Sequence, residues 1–192
     1  MLGSPLATRH IPSPNVRERK AGEHWQYVIL HGTWMADDDA VICTLTNAAK
    51  EVSSHYFITH TGEIVQLVSE ENIAWHAGKS EWNGREMLNG CALGIEIGNI
   101  GPWHSKQVTR ENQNDVTPDM WANATPYLPC QYTAVINLLR DIMARHPNIT
   151  PSHILGHSEV SPGRKSDPGQ HFEWSILAAA GVALPRPLPL IR

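Results

Sequence analysis

The chain has 192 residues, with 15 basic and 19 acidic side chains, a formal net charge of -4 and 41% hydrophobic residues. That length supports one domain whose core needs neither disulfides nor oligomerisation, so a monomer is expected. The mildly acidic balance, with no basic run, excludes a nucleic-acid interface, and no stretch approaches the roughly 18 apolar residues of a transmembrane helix.

Residues 1–24 are polar and carry Pro5, Pro12 and Pro14. They read as an arm lying over a domain at 25–184, and the proline-bearing residues 185–192 read as an irregular tail. Prolines and charges stand where a signal peptide would need a hydrophobic stretch, so a cytoplasmic location is expected, with a periplasmic or outer-membrane one if a leader has been removed. Cys43, Cys91 and Cys130 fit neither a disulfide framework nor a CxxC zinc site, and are read as mostly buried thiols in a reducing compartment.

Tyr27 to Leu30 is an uninterrupted apolar run ending in His31-Gly32, the pattern of a buried central strand. His31 then stands where the strand leaves the sheet, either as a hydrogen-bonded structural histidine or as a site residue, since sites in open α/β sheets collect outside strand ends. Asp37 to Asp39 offer helix N-caps, and Val41, Leu45, Ala48, Ala49 and Val52 recur at helical spacing over about three turns. The runs 55–58 and 64–68 flank a glycine-containing connection and predict a β-hairpin. Residues 75–85, with Trp75, His76 and Trp82, have the composition of a loop with aromatic faces, suited to a sugar or peptide or else packed as core edges.

Leu93 to Ile97 alternates, placing Leu93, Ile95 and Ile97 on one face and Gly94 with Glu96 on the other. Glu96 alone reads as an outward glutamate of an edge strand, with Gly94 leaving room beside it. Residues 101–128 turn polar, and so long a connection suggests a rim or lid. Tyr132, Val135, Ile136, Leu139, Ile142 and Met143 mark one face of a helix between Pro129 and Pro147, with Asp141 and Arg145 as an outer i, i+4 pair. Residues 153–157 predict a short strand, and 172–180 a closing helix or turn. Between these two, Pro162-Gly163 signals a turn, and an extended Lys165 to Asp167 would put the ammonium beside whatever Asp167 binds.

Eleven histidines require a check of spacing. In a strand, His153 and His157 would lie about 13 Å apart, too far to share an ion with bonds of about 2 Å. No HExxH is present. His31, His157 and Asp167 remain, and two histidines with one carboxylate leave a coordination position open, the catalytic rather than the structural zinc pattern.

VILHGT at 28–33, SSHYFI at 53–58, GEIVQLV at 62–68, AWHAG at 74–78, GIEIGN at 94–99 and GHSEVSPGRKSDPG at 156–169 follow one another in a familiar order. Together they make the chain resemble the type 2 N-acetylmuramoyl-L-alanine amidases, a zinc-dependent family that also holds the peptidoglycan recognition proteins. The resemblance implies a single α/β domain, a mixed central β-sheet flanked by α-helices, with Zn2+ in a cleft at the strand ends. It implies His31, His157 and Asp167 as metal ligands, Glu96 as catalytic glutamate, Lys165 beside the scissile carbonyl, and a peptidoglycan or muropeptide substrate. An aspartate as third ligand resembles the bacterial branches. Arg164 is a candidate for a stem-peptide carboxylate, and Trp75 and His76 for the border of the sugar. Alternatives are a peptidoglycan-binding module without catalysis and a zinc peptidase cutting within the stem peptide.

Overall fold

The computed structural model describes residues 2–102 and 124–186. Most of the segment read as a rim or lid and most of the tail lie outside the described residues. A six-stranded mixed sheet forms the centre. Its strands are β1 (Arg9–His10), β3 (Tyr27–Gly32), β4 (Tyr56–Ile58), β5 (Ile64–Gln66), β9 (Ala92–Ile97) and β10 (Ile154–Gly156), in the order β1-β5-β4-β9-β3-β10. Only β4 and β5 pair antiparallel, as the predicted hairpin, while the other four pairings are parallel. Among the described residues two short antiparallel ribbons complete the strands: β2 (Val16–Glu18) with β6 (Asn72–Ala74), and β7 (Glu81–Trp82) with β8 (Arg85–Glu86).

Strands β9 and β3 have parallel neighbours on both sides, and sheets of this kind are covered on both faces. That explains the unbroken apolar run of β3. It also corrects the expectation for Glu96, which lies on an interior strand between β4 and β3 and not on an edge. On one face Val28, Leu30, Leu93, Ile95 and Ile97 pack against helix α2 (Pro129–Arg145), which buries Val135, Leu138, Leu139 and Ile142 completely. Four such side chains contribute about 1.5–3 kcal/mol each. Pro129 opens α2, where its missing N–H costs nothing. Gln131 ties the helix down by donating to the carbonyls of Thr59 and Gly98 at 3.0 and 2.6 Å.

The opposite face is covered in two patches. Val41, Ile42 and Leu45 of helix α1 (Asp38–Thr46) meet Phe57, Val65 and Leu67, whereas Tyr27, Ile29 and Leu155 meet Ala77, Leu88 and Val160. The Asp37 side chain caps α1 by accepting from the Ala40 amide at 2.8 Å. The helix is shorter than its apolar spacing predicts, because Asn47 turns extended and its side chain caps the 3-10 turn Ala48–Lys50 instead.

The first residues do more than lie over the domain. β1 supplies the sheet's edge strand, β2 pairs with β6, and the buried Ser13 and Asn15 bond to the chain around α1. The cysteines depart from expectation: Cys91 is buried, but Cys43 and Cys130 are exposed, and all three are free thiols. Helices α3 (His157–Val160) and α4 (Trp174–Ala179) come last among the described residues, and His157 begins a helical turn rather than ending a strand. Among the described residues no helix is long and apolar enough to cross a membrane.

Candidate metal centre

Parallel pairing brings three carboxyl-terminal strand ends side by side. In the register of β3 with β9, His31 lies opposite Glu96, and Gly156 of β10 lies opposite Leu30, one residue before His157. Alternation sends His31 and Glu96 to the same side as Ile29 and Gly94, away from α2. Crevices of this kind, outside the carboxyl ends of parallel strands, are where open α/β sheets hold ligands.

Asp167 reaches the same place through a closed loop. The Ser158 amide donates to the Asp167 carbonyl at 2.8 Å, and the Arg164 and Lys165 amides to Ser161 at 3.1 and 3.0 Å. Gly163 takes a φ of 74°, as the predicted turn requires. At the other end Glu159 accepts from the Gly156 amide and fixes the turn that begins with His157.

His31, His157 and Asp167 are all buried, and their donor atoms converge. His31 Nδ1 and His157 Nδ1 are 2.9 Å apart, and Asp167 Oδ2 lies 3.2 and 3.0 Å from them. Donors around a tetrahedral ion with bonds of about 2.0–2.2 Å sit roughly 3.3 Å apart, so this set fits zinc with a few tenths of an ångström of spreading. His157 Nε2 faces the Ala77 carbonyl at 3.1 Å. A carbonyl only accepts, so the ring hydrogen belongs on Nε2 and the Nδ1 lone pair points at the other two donors.

Electrostatics favour a cation here. Burial, helped by His157 and the Lys165 ammonium, outweighs the opposing Asp167 carboxylate and holds His31 at about 4, so it is neutral at pH 7. Asp167 is opposed by burial, yet the two histidines hold its carboxyl well below the usual carboxylate range. A neutral His31 and an ionised Asp167 are the protonation states that metal binding requires of those two groups.

The remaining candidates divide. Glu96 stands beside His31 across the strand pair. The Arg164 guanidinium bridges two loops: Nη2 donates to the Ala77 and Lys79 carbonyls and to Ser161 Oγ, each at 2.7 Å, and Nε to Lys79 at 3.1 Å. It staples the loop after β6 to the loop carrying Asp167. Trp75 is half-buried, and its amide donates to Ser53 Oγ at 2.8 Å. His76 lies against the metal site itself, with Nδ1 3.0 Å from His31 Nε2 and Nε2 3.1 Å from the Ala92 carbonyl.

Two contributors escaped the sequence reading. Asn89 Oδ1 accepts from the amides of His76 and Ala77 at 3.2 and 2.7 Å. Tyr127, buried, donates to the Pro168 carbonyl at 2.8 Å, and its ring meets Phe172 edge to face. Burial raises the Tyr127 hydroxyl well above its ordinary value, and the nearby charges of Asp167 and Glu96 add to this. Gly32 makes room for it, since a Cβ there would lie 2.5 Å from the hydroxyl. No short-range signal marks either residue.

Comparison with known proteins finds relatives in sequence and in fold. The family model described as N-acetylmuramoyl-L-alanine amidase matches residues 21–170. The N-acetylmuramoyl-L-alanine amidase AmiD of Escherichia coli is 37% identical over 163 residues, 81% of this chain and 52% of its own length. The 1,6-anhydro-N-acetylmuramyl-L-alanine amidase AmpD of Enterobacter cloacae is 30% identical over 184 residues, 87% of this chain and 86% of its own. The chain thus spans about half the length of AmiD and nearly all of this AmpD.

Among solved structures, an AmpD selenomethionine derivative superposes with a TM-score of 0.72 at 26% identity, covering 94% of this chain and 99% of that one. AmiD of E. coli, in complex with anhydro-N-acetylmuramic acid-L-Ala-D-gamma-Glu-L-Lys, superposes with a TM-score of 0.67 at 35% identity, covering 87% and 62%. With the matched model running from before β3 to just beyond Asp167, and with the same fold found in AmpD and AmiD, the chain belongs to the N-acetylmuramoyl-L-alanine amidase family.

Proposed function

We propose that this protein is a zinc-dependent amidase hydrolysing the bond between the lactyl group of (anhydro-)N-acetylmuramic acid and L-alanine of the stem peptide. The observation that carries the reading is the buried convergence of His31, His157 and Asp167 beside Glu96 at three strand ends. Zinc held by these three residues would supply a water with a pKa near about 7 and polarise the carbonyl. Glu96 takes the proton of the attacking water and returns it to the departing amine. Lys165 stabilises the oxyanion, a contribution of about 3 kcal/mol for a single donor. Arg164, held in place by its bonds to Ala77, Lys79 and Ser161, is a candidate for binding a stem-peptide carboxylate. The substrate in the AmiD complex, and the anhydromuramic pentapeptide in the complex of AmpDh3 from Pseudomonas aeruginosa, favour a soluble anhydro-muropeptide.

Mass spectrometry of digested muropeptides tests this. Free stem peptide beginning at L-alanine is the expected product; shortened peptides would indicate a peptidase, and unchanged substrate a binding module. Asp167→Ala loses zinc and turnover together, while Glu96→Ala keeps zinc and loses turnover. Turnover retained by Glu96→Ala removes that residue from the mechanism. Faster cleavage of soluble anhydro-muropeptides than of intact sacculi is the result expected of a cytoplasmic enzyme.

A further inference from the structure

We propose that His76 is a positioning residue of the metal centre, which fixes the ring hydrogen of His31 on Nε2 and thereby presents the Nδ1 lone pair to the metal. The inference rests on the reading of His31, His157 and Asp167 as zinc ligands. Its chain of hydrogen bonds runs in one direction only. The Ala92 carbonyl accepts and cannot donate, so His76 Nε2, 3.1 Å away, carries the hydrogen. His76 Nδ1 is then an acceptor, and the group 3.0 Å from it, His31 Nε2, is the donor. His31 Nδ1 is left bare, aimed at His157 Nδ1 and Asp167 Oδ2.

The surroundings hold His76 to this task. A Cβ on Gly94 would come within 2.5 Å of the His76 ring, so the glycine in β9 makes the space this imidazole fills. The ring meets His31 edge to face, with centroids 5.1 Å apart. Asn89 grips the backbone on both sides, at the amides of His76 and Ala77. The next carbonyl, that of Ala77, serves His157 as His76 serves His31. Two consecutive residues of AWHAG therefore orient both imidazole ligands. Both ring nitrogens of His76 are engaged, which leaves neither for the sugar that the sequence pattern suggested.

The test measures zinc affinity by chelator competition for the wild type, His76→Phe and His76→Asn, with the melting temperature of each metal-free protein. Phe keeps a ring over Gly94 but cannot accept from His31, whereas the Asn oxygen replaces Nδ1 as acceptor. Phe is expected to weaken zinc binding roughly 10- to 100-fold, and Asn to restore most of it. Nitrogen-15 spectra of metal-free protein add a readout independent of metal: His31 protonated on Nε2 in the wild type and a tautomer mixture in His76→Phe. Wild-type affinity in His76→Phe, or an Asn variant no better than Phe at equal melting temperature, overturns the inference. A wild type that takes up no zinc overturns the ligand assignment and the inference with it.

Discussion

Gly94 shows how a single position is decided by what lies across from it. Alternation along β9 puts it on the same side as Glu96, and the sequence suggests free space there; the structure fills that space with the His76 ring. Gly94→Ala should therefore push the imidazole or bend a central strand, costing about 1–3 kcal/mol as other overpacked sites do. A denaturant midpoint unchanged from wild type would contradict that contact. The histidines and Asp167 were legible because strand ends and turn residues announce themselves locally. The roles of His76 and Arg164 were not: polar tips on a loop look solvent-facing, and their partners at Ala92 and Lys79 lie 16 and 85 residues away in the chain.

At the scale of elements, α2 matches its apolar stripe, but its polar side holds a surprise. Asp141 and Arg145 look like a surface pair worth a few tenths of a kcal/mol. In the fold Arg145 also reaches Glu70, whose side chain is fully buried and is bonded as well by His146 Nε2 at 2.7 Å and by the Tyr56 hydroxyl at 2.5 Å. Burial would raise the Glu70 pKa, but these partners outweigh it and hold the group at about 2, against an ordinary value of 4.5. A depressed carboxylate contributes stability that is complete above its unfolded value and is lost as pH falls through the folded one. Urea midpoints of the wild type should thus decline between about pH 4.5 and 2, and Glu70→Gln should be less stable at neutral pH and flatter across that window. Equal slopes would mean that Glu70 is not the titrating group. The hairpin and α2 could be read because their signals are local, whereas the role of β1 as an edge strand depends on pairing with residues more than fifty positions away.

For the whole molecule, the proposed zinc site links metal binding to folding, because His31 and His157 are 126 residues apart and meet only in the folded chain. A ligand present at a hundred times its dissociation constant stabilises by about 2.7 kcal/mol, which for a domain of this size moves Tm by roughly 5–10 °C. Removing zinc with a chelator should lower the Tm of the wild type and leave that of Asp167→Asn nearly unchanged. A chelator effect of equal size in both would place the stabilising ion elsewhere.

Residues near both ends of the described chain reach the margins of the central sheet. β1 lines one margin, and at the other the Arg186 guanidinium donates to the Ile154 carbonyl of β10 at 2.7 Å. Bare margins are templates on which sibling molecules stack. A chain shortened through β1, or carrying Arg186→Ala, should therefore keep the donor triad but associate more readily than the wild type, which light scattering would measure.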